Sequence, residues 1–383
     1  MIRVGFRLIG GAAWQGGRNY LWNLLHAVTS QPARRVQPVL LLAPGEDAGD
    51  LLLDGVERFE TGALLDSSYA RRAGRVLKLA AGRNLVEARW LRRARIDVLS
   101  HAAPVGRSIP TIAWVPDVQH RHLPQMFSRR EHFMRDLLFR EILRDAAVVV
   151  TSSETARDDL HRFYGVDAAS CRVLRFVSQP RLAPDQLLPL DELRARLGVP
   201  ARFFHLPNQL WKHKNHALVV EALRLVPDVV VVATGPREDY RHPGVYDALL
   251  ARVNAHGLGD RFRHLGLVSF PELISLMRHS VAVINPSRFE GWSTTVEEAK
   301  SLGKRVLVSD LPVHHEQDPP RASYFPVDDP RALAAQLAEA WSTHDPAEDV
   351  RAAAAAAAAL PSRTSAFAET YEAIVLDAVG GDR

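Results

Sequence analysis

The chain has 383 residues, of which 47% are hydrophobic and 24% charged, and its formal net charge is +4. This length exceeds one ordinary hydrophobic core and suits two globular domains, and the lone cysteine, Cys171, excludes an intrachain disulfide. The N-terminus lacks the pattern of a signal peptide, and no apolar run reaches the length of a membrane span. We therefore expect a cytoplasmic protein that does not cross a bilayer.

The first half of the chain alternates predicted strands and helices. Helical spacing predicts helices that include 20–29 and 127–144. Apolar runs predict strands at 2–9, 37–43, 96–100, 111–115 and 147–151. This alternation is typical of a doubly wound α/β domain with a parallel sheet.

A glycine-rich loop follows the first predicted strand and precedes a helix. It contains Gly16, Gly17 and Asn19, and its glycines would permit close approach of the backbone to a ligand. The spacing does not fit the G-x-G-x-x-G pattern, so a dinucleotide site is not indicated. Two tight turns would explain the glycines equally well.

Positive charge is concentrated in residues 71–95. This segment holds nine basic residues and one acidic residue, which gives it a net charge of +8 in a chain whose total is +4. Apolar side chains are interleaved with the basic ones, which predicts basic amphipathic helix that favours an anionic membrane surface or an anionic ligand. A solvated surface face is an equal alternative. Nucleic acid is not expected as a partner, because no module known to bind it is apparent.

The strand predicted at 111–115 ends in a polar segment that contains Asp117, His120 and His122. No cysteine or third carboxylate ligand clusters with the histidines in the sequence, so a zinc site is not expected. Their place after a strand end favours a role in hydrogen bonding or in binding an acceptor. A similar group, His314 and His315, is better explained by a structural role.

The alternation breaks at 178–200, which we interpret as an interdomain linker. After it, strands are predicted at 202–206, 229–233, 262–265, 281–285 and 305–309. We expect Rossmann-like domains at 1–180 and 181–362 to face each other across a ligand-binding cleft. A last helix, within 363–383, follows an alanine-rich tract and is expected to cross back to the first domain.

Lys214 lies in a basic loop after the strand predicted at 202–206. In that position it could neutralise a diphosphate beside the cleft, or it could simply begin a helix. Neither G-x-S-x-G nor a P-loop occurs in the chain. The motifs therefore do not support a serine hydrolase or an ATPase.

Residues 285–304 predict a strand end, a polar loop and a short helix. Thr294 followed by Glu297 indicates a capping box, and Gly303 indicates the helix end, which gives a helix over 295–302.

Two further glutamates flank the polar loop. Ligands bind beyond the carboxyl ends of parallel strands, so Glu290 in the loop and Glu298 in the first helical turn could face one ligand. A phosphate would sit at the helix N-terminus, and the carboxylates suit the paired hydroxyls that nucleotide ligands carry. A helix-dipole role for Glu298 and a solvated Glu290 are equally compatible with the local sequence.

The combination of these features resembles a known family. The lysine in H-K-N, and F-E-G-W-S-T-T-V-E-E-A followed by S-L-G-K-R-V-L-V-S-D, are similar to the retaining glycosyltransferases of family four, also called glycosyltransferase group 1. The resemblance covers nearly the whole chain and implies the GT-B fold. It implies a nucleotide-diphosphate-sugar donor and a glycan or lipid-linked acceptor in cell-surface polysaccharide synthesis, with no metal or other cofactor.

The resemblance also implies roles for individual residues. Glu290 would contact the hydroxyls of the transferred sugar, Glu298 would hold the ribose diol, and Lys214 would hold the diphosphate. The other donor-binding positions would be Gly291, Trp292, Ser293, Thr294, Thr295, Asn208, Gln209, Gly235, Leu267 and Val268. The positions near the diphosphate or the acceptor would be Gly16, Gly17 and Asn19.

Two positions depart from the family's pattern. Gln209 stands where many relatives have an arginine, which leaves the diphosphate charge to Lys214 and the helix terminus. Pro116 stands where many relatives have a histidine before the aspartate, here Asp117, and His120 is the candidate for that role. A nucleotide-sugar epimerase with the same fold and a non-catalytic nucleotide-sugar-binding protein are the alternative classes.

Overall fold

The computed structural model describes residues 1–9, 15–60, 85–105, 109–167, 170–182 and 186–380. The chain divides into two compact units. The first consists of Met1–Arg121, Arg129–Val177 and Ser362–Arg383, and the second of His122–Ser128 and Ser178–Pro361.

The first unit is built on a parallel sheet. Its strands are β1 (Ile2–Phe6), β2 (Val36–Leu42), β3 (Glu57–Glu60), β4 (Val98–Ser100), β5 (Thr111–Trp114), β6 (Val148–Thr151) and β7 (Cys171–Val173). Its described helices are α1 (Gln15–Thr29), α2 (Leu85–Arg93), α3 (Gln119–His122), α4 (Arg129–Asp145) and α5 (Glu154–Tyr164). The strand order is β3-β2-β1-β4-β5-β6-β7, which is the doubly wound arrangement that the alternation predicted.

The second unit repeats this plan. Its strands are β8 (Phe204–Leu206), β9 (Val231–Ala233), β10 (Phe262–His264), β11 (Val283–Asn285), β12 (Val306–Ser309) and β13 (Ala322–Phe325), in the order β10-β9-β8-β11-β12-β13. Its helices are α6 (Leu190–Leu197), α7 (His216–Leu223), α8 (Val245–Ala255), α9 (Phe270–His279), α10 (Thr294–Ser301), α11 (Pro312–Gln317) and α12 (Pro330–Thr343). All strand pairs are parallel, and β8 and β11 lie side by side in the middle of the sheet. The loops after these two strands therefore leave the same edge of the sheet.

Three strands were not expected from the sequence. β3, β7 and β13 are edge strands, and they are polar or very short, with the sequences ERFE, CRV and ASYF. An edge strand buries little surface and needs no continuous apolar run, so the pattern that marks central strands is missing from it. The ten predicted strands occur: β2 is shifted by one residue towards the N-terminus, and each of the others is shorter by one to three residues at one end.

The last helix differs from the prediction in extent. The alanine-rich tract and the predicted final helix form one helix, α13 (Pro346–Gly380), with Pro361 inside it. The part after Pro361 belongs to the first unit, where the Tyr371 hydroxyl donates to Ser100 Oγ at 2.8 Å and Glu372 accepts from the Arg35 backbone N–H at 2.8 Å.

Residues 122–128 belong to the second unit, although the sequence analysis assigned all of 1–180 to the first. The His122 ring lies 5.0 Å from the Phe289 ring, and the Arg241 guanidinium lies over the Phe127 ring at 4.9 Å. These long-range contacts could not be read from local pattern.

None of the helices in the described part of the chain is both long enough and apolar enough to cross a bilayer. The predicted basic segment is described only from residue 85 onward, and residues 71–84 lie outside the described part of the chain.

Candidate functional site

The loop between β11 and α10 is held by its own polar side chains. Ser293 is the N-cap of α10, because its side chain accepts a hydrogen bond from the Val296 N–H. The predicted capping box at Thr294 is therefore wrong by one residue, and the Glu297 carboxylate instead accepts from Gln317 Nε2 at 3.3 Å. The first-turn N–H groups of Thr294 and Thr295 have no intrahelical acceptor and mark a partly positive helix end.

Lys214 and Glu290 form the central ion pair of the site. Lys214 Nζ lies 2.6 Å from Glu290 Oε1, although the two residues are 76 positions apart, and their side chains are 16% and 8% exposed. Ser287 Oγ donates to the same carboxylate oxygen at 2.6 Å. Oε2 of Glu290 makes no hydrogen bond to any described residue. The loops after β8 and β11 thus bring together the lysine and the glutamate, and they leave one carboxylate oxygen for a ligand.

The environment of Glu290 keeps its side chain ionised. Burial favours the neutral acid and raises the pKa, but the Lys214 ammonium and the hydrogen bond from Ser287 outweigh burial, so the pKa of Glu290 lies below its ordinary value. A negative charge is therefore fixed beside a positive one in a largely dry site. This arrangement suits a reaction in which charges of both signs develop.

A buried polar network lies beneath the loop. Asn285 Nδ2 donates to Ser293 Oγ at 2.8 Å and lies 3.3 Å from His314 Nε2. His314 Nδ1 lies 2.7 Å from the Ser309 carbonyl oxygen, so the Nδ1–H tautomer satisfies both contacts. Burial lowers the pKa of His314, which keeps the ring neutral at neutral pH. The structural role expected for His314 agrees with these contacts.

Gln317 fixes the backbone of the N-cap residue. Its Oε1 accepts from the Ser293 N–H at 3.2 Å, and its Nε2 donates to the Ser293 carbonyl oxygen at 3.0 Å. Gln317 was not among the predicted site residues. A glutamine in a short helix after the next strand gives no local signal, because its importance depends on a contact across 24 positions.

Glu298 lies in the second turn of α10, although the sequence predicted that it would lie in the first turn. Its residue is only 7% exposed, and its carboxyl group has no hydrogen-bond partner among the described residues. Burial raises the pKa of Glu298 to about 7, and the nearby positive charge of Arg181 offsets only part of this effect. A buried carboxyl group without a partner is costly and is satisfied when a ligand supplies hydroxyl donors.

The loops after β8 and β9 pack tightly beside Glu290. Asn208 Nδ2 donates to Asn285 Oδ1 at 3.3 Å, and Thr295 Oγ1 donates to Asn208 Oδ1 at 3.3 Å. Gly235 follows β9, and its N–H donates to the Gly266 carbonyl oxygen at 2.8 Å. Three predicted donor-site positions, Asn208, Gly235 and Thr295, therefore lie in one connected part of the second unit.

Replacing Gly235 with alanine is expected to lower the free energy of unfolding by at least about 2 kcal/mol. Its φ is +135°, and an added Cβ would lie 2.5 Å from the Asn208 carbonyl oxygen. Urea unfolding beside Gly257→Ala measures the effect, because Gly257 also has a positive φ of +62° but nothing lies within 4 Å of its added Cβ. Equal losses in the two variants would show that backbone strain, and not the contact with Asn208, requires the glycine.

The other predicted donor positions differ in exposure. Gly291 is buried, while Gln209 and Trp292 are partly buried. The Trp292 Nε1 is buried and has no hydrogen-bond partner in the described part of the chain. Leu267 is 71% exposed, whereas the neighbouring Val268 packs against the apolar cluster around Phe203.

The predicted residues of the first unit lie in different settings. His120 has no exposed surface, and its Nε2 lies 2.9 Å from Asp136 Oδ1 and 3.0 Å from the Tyr164 hydroxyl. Burial lowers the pKa of His120 despite the neighbouring Asp136 carboxylate. In this structure the imidazole therefore organises the interior and presents no surface to an acceptor. Asp117 accepts from the Gln119 N–H at 3.0 Å at the start of α3.

The glycine-rich loop is described only in part. Gly16, Gly17 and Asn19 lie in the first turns of α1, where the Asn19 carbonyl oxygen accepts from Asn23 Nδ2 at 2.8 Å. Residues 10–14 lie outside the described residues.

Arg241 of the second unit was not among the predicted site residues. Its side chain is 6% exposed and stacks on the rings of Trp211 and Tyr240.

Among the residues that the structure describes, no group of three or more His, Cys, Asp or Glu side chains is arranged to hold a metal ion.

Part of the second unit matches a family profile. Residues 194–357 match the profile of the glycosyl transferases group 1 family. This region contains Lys214, Glu290 and Glu298 and makes up most of the second unit.

Curated relatives match a larger part of the chain at low identity. The O-antigen chain mannosyltransferase RfbU of Salmonella typhimurium is 26% identical over 234 residues, which cover 61% of this chain and 60% of that protein. A glycogen synthase of Mycobacterium tuberculosis is 22% identical over 194 residues, which cover 48% of this chain and 41% of that protein. The matches thus span 60% and 41% of the relatives' own lengths, which is less than two thirds in each case.

Solved structures are similar over the whole chain. A glycosyltransferase from Rickettsia africae has a TM-score of 0.69 at 15% identity, with 100% of this chain and 99% of that chain covered. The Anabaena protein Alr3699/HepE in complex with UDP and glucose has a TM-score of 0.69 at 17% identity, with 98% and 99% covered. These likenesses show the fold, which is GT-B with two Rossmann-like α/β domains.

Proposed function

We propose that the chain is a retaining, metal-independent glycosyltransferase that moves a sugar from a nucleoside-diphosphate sugar to a glycan or lipid-linked saccharide. The observation that supports this most directly is the Lys214 and Glu290 ion pair beside the N-terminus of α10. The unpartnered Glu298 carboxyl group lies in the same helix. Together these groups match the charges and hydroxyls of such a donor.

Each part of the donor has a chemical counterpart in the second unit. The diphosphate would bind at the Lys214 ammonium and the first-turn N–H groups of α10. The ribose diol would donate to the Glu298 carboxylate, and Oε2 of Glu290 would accept from a hydroxyl of the transferred sugar. The base would lie near the exposed turn at Leu267, which follows β10.

The proposed reaction breaks the bond between the anomeric carbon and the diphosphate oxygen and forms a glycosidic bond to the acceptor oxygen. Positive charge develops on the anomeric carbon, and the Glu290 carboxylate lies near it. Negative charge develops on the leaving oxygen, and Lys214 and the helix N-terminus stabilise it. In same-face attack the leaving phosphate takes the proton of the acceptor hydroxyl. No enzyme nucleophile and no divalent ion is needed for this sequence.

The relatives narrow the proposed substrates. UDP and UDP-glucose are bound in structures of the Anabaena protein, and the Salmonella relative is a mannosyltransferase for an O-antigen chain. We infer a hexose donor and an acceptor in cell-surface polysaccharide synthesis. The proposed place of work is the cytoplasm, peripheral to the inner face of the membrane, with Asp117 near the acceptor and buried His120 positioning its surroundings.

Thermal-shift measurements with UDP-, GDP-, ADP- and dTDP-sugars test the donor site. We expect one nucleotide class to raise the melting temperature of the wild type, by an amount that grows with donor concentration. Glu298→Gln should lose most of this shift, because the ribose hydroxyls lose an ionised acceptor. The control is Glu339→Gln, since the Glu339 side chain is 64% exposed and pairs with Arg305 at 3.4 Å.

Two outcomes would contradict the proposal. If no nucleotide sugar shifts the melting temperature, the donor-site assignment fails. If a donor binds but is converted to another nucleotide sugar without an acceptor, the chain is an epimerase rather than a transferase.

A further inference from the structure

Helix α4 leaves a large apolar face uncovered. None of its residues is fully buried, and four neighbouring apolar side chains are strongly exposed. They are Phe133 at 65%, Met134 at 53%, Leu137 at 52% and Leu138 at 45%. Positions spaced by one, four and five residues lie on one side of a helix, so these side chains form a single stripe. Contiguous exposed apolar surface of this kind marks a site of interaction.

The opposite side of the helix holds it in place. Phe139, Ile142 and Leu143 pack against the apolar cluster of Val115, Val118, Val149, Leu160 and Cys171. The helix therefore belongs to the folded first unit, and its outer stripe is a fixed surface feature. The stripe is separate from the apolar side through which α4 packs against this cluster.

The most exposed charges of α4 are positive. The charged residues of α4 that are exposed are all arginines, namely Arg129, Arg130, Arg140 and Arg144. Its four acidic residues, Glu131, Asp136, Glu141 and Asp145, are partly exposed, and Asp136 pairs with Arg121 and Asp145 with Arg144. An apolar stripe bordered by arginines fits a surface that offers both acyl chains and phosphates.

The basic segment at residues 71–95 is described only from residue 85 onward, where it forms α2. In α2, Ala88 is buried and Leu91 belongs to the apolar cluster with Val39 and Leu99. Its exposed residues include Arg89, Arg92 and Arg93. Between residues 87 and 93, α2 thus exposes charge, whereas α4 exposes charge together with apolar surface.

We propose that α4 is a docking helix for an anionic phospholipid bilayer. Phe133, Met134, Leu137 and Leu138 enter the level of the headgroups, and the arginines at the two ends of the helix bind lipid phosphates. This assignment rests on the proposed function, because it names the contact that would bring the enzyme to a lipid-linked acceptor.

Vesicle flotation of the full chain tests the apolar stripe. The wild type should bind vesicles of phosphatidylcholine with phosphatidylglycerol and bind vesicles of phosphatidylcholine alone much less. The double variant Phe133→Gln/Leu137→Gln should bind at least about tenfold more weakly. The matched control is Leu225→Gln/Val350→Gln, which changes apolar residues of the second unit that are 53% and 65% exposed and should bind as the wild type.

A second pair of variants tests the charges. Arg129→Ser/Arg130→Ser should weaken binding about fivefold for each arginine, and added salt should reduce the difference. Arg89→Ser/Arg92→Ser on α2 should have a much smaller effect. If the α2 variant loses as much binding as the α4 variants, the contact lies on the basic segment and the proposal for α4 is wrong.

Two further results would overturn the proposal. The first is that the wild type does not bind anionic vesicles. The second is that sedimentation equilibrium shows a dimer that Phe133→Gln/Leu137→Gln dissociates, which would make the face an interface between copies. Donor-induced thermal shifts of the same variants separate this proposal from the donor site, because α4 variants should keep the full shift even if vesicle binding is lost.

Discussion

Replacing Lys214 with methionine is expected to lower the free energy of unfolding by about 3–5 kcal/mol and to reduce turnover of the donor by about a thousandfold. The stability loss follows because the variant leaves the Glu290 carboxylate, which is 8% exposed, without its partner 2.6 Å away. The loss of turnover follows because the leaving diphosphate loses its nearest positive charge. Urea unfolding and the release of nucleoside diphosphate by transfer to water measure the two effects.

Glu290→Gln should separate the two effects. The amide keeps the shape of the side chain and can still accept from Ser287 Oγ, so the loss of stability should be smaller, about 1–2 kcal/mol. Donor turnover should still fall by a hundredfold or more, on the order of the loss seen when a preorganised group is removed. The double variant should recover part of the stability that Lys214→Met alone loses, because it no longer contains an uncompensated buried charge.

A second buried ion pair provides the control. Lys304 Nζ lies 2.6 Å from Asp349 Oδ2, and the two side chains are 3% and 18% exposed. Lys304→Met should therefore reduce stability in the same direction while turnover at a temperature well below unfolding stays as in the wild type. If Lys214→Met also keeps normal turnover under those conditions, the pair with Glu290 is structural and the proposed mechanism is wrong.

The sequence predicts the sheets well because their central strands are buried on both faces. β2, for example, is buried at each of its seven positions, and so it reads as an apolar run. The edge strand β3 buries none of its four residues fully and gives no such run. Helix ends depend on single hydrogen bonds, and Ser293 and Thr294 offer equivalent hydroxyls to the cap position. The choice between them is made by Gln317, which fixes the Ser293 backbone from outside the motif.

The placement of Lys214 near Glu290 was within reach of sequence reasoning, because residues that follow neighbouring parallel strands meet at one edge of a sheet. The burial of His120 could not be predicted from the sequence, since its partners Asp136 and Tyr164 lie 16 and 44 positions away. The same limit applies to Glu298. Its motif identifies it as a candidate, but only the structure shows that its carboxyl group is buried without a hydrogen-bond partner in the described part of the chain.

The burial of Glu298 should make the stability of the protein depend on pH. In the unfolded chain its carboxyl group ionises near the ordinary pKa of 4.5, while in the folded protein the pKa is about 7. Between these values the folded state binds the proton more tightly, so the contribution to stability is present at low pH and is lost as the pH rises through 7. Over about pH 5 to pH 8 this loss amounts to about 2–3 kcal/mol.

The variant Glu298→Gln isolates this contribution from all other titrating groups. The stability of the variant minus that of the wild type should increase by about 2–3 kcal/mol between about pH 5 and pH 8, because only the wild type must ionise a buried group. A saturating donor should flatten the Glu298 difference, because ribose hydroxyls that donate to the carboxylate stabilise its ionised form. A pH-dependent difference that the donor leaves unchanged would place the ribose elsewhere, and a difference independent of pH would show that Glu298 is hydrated in solution.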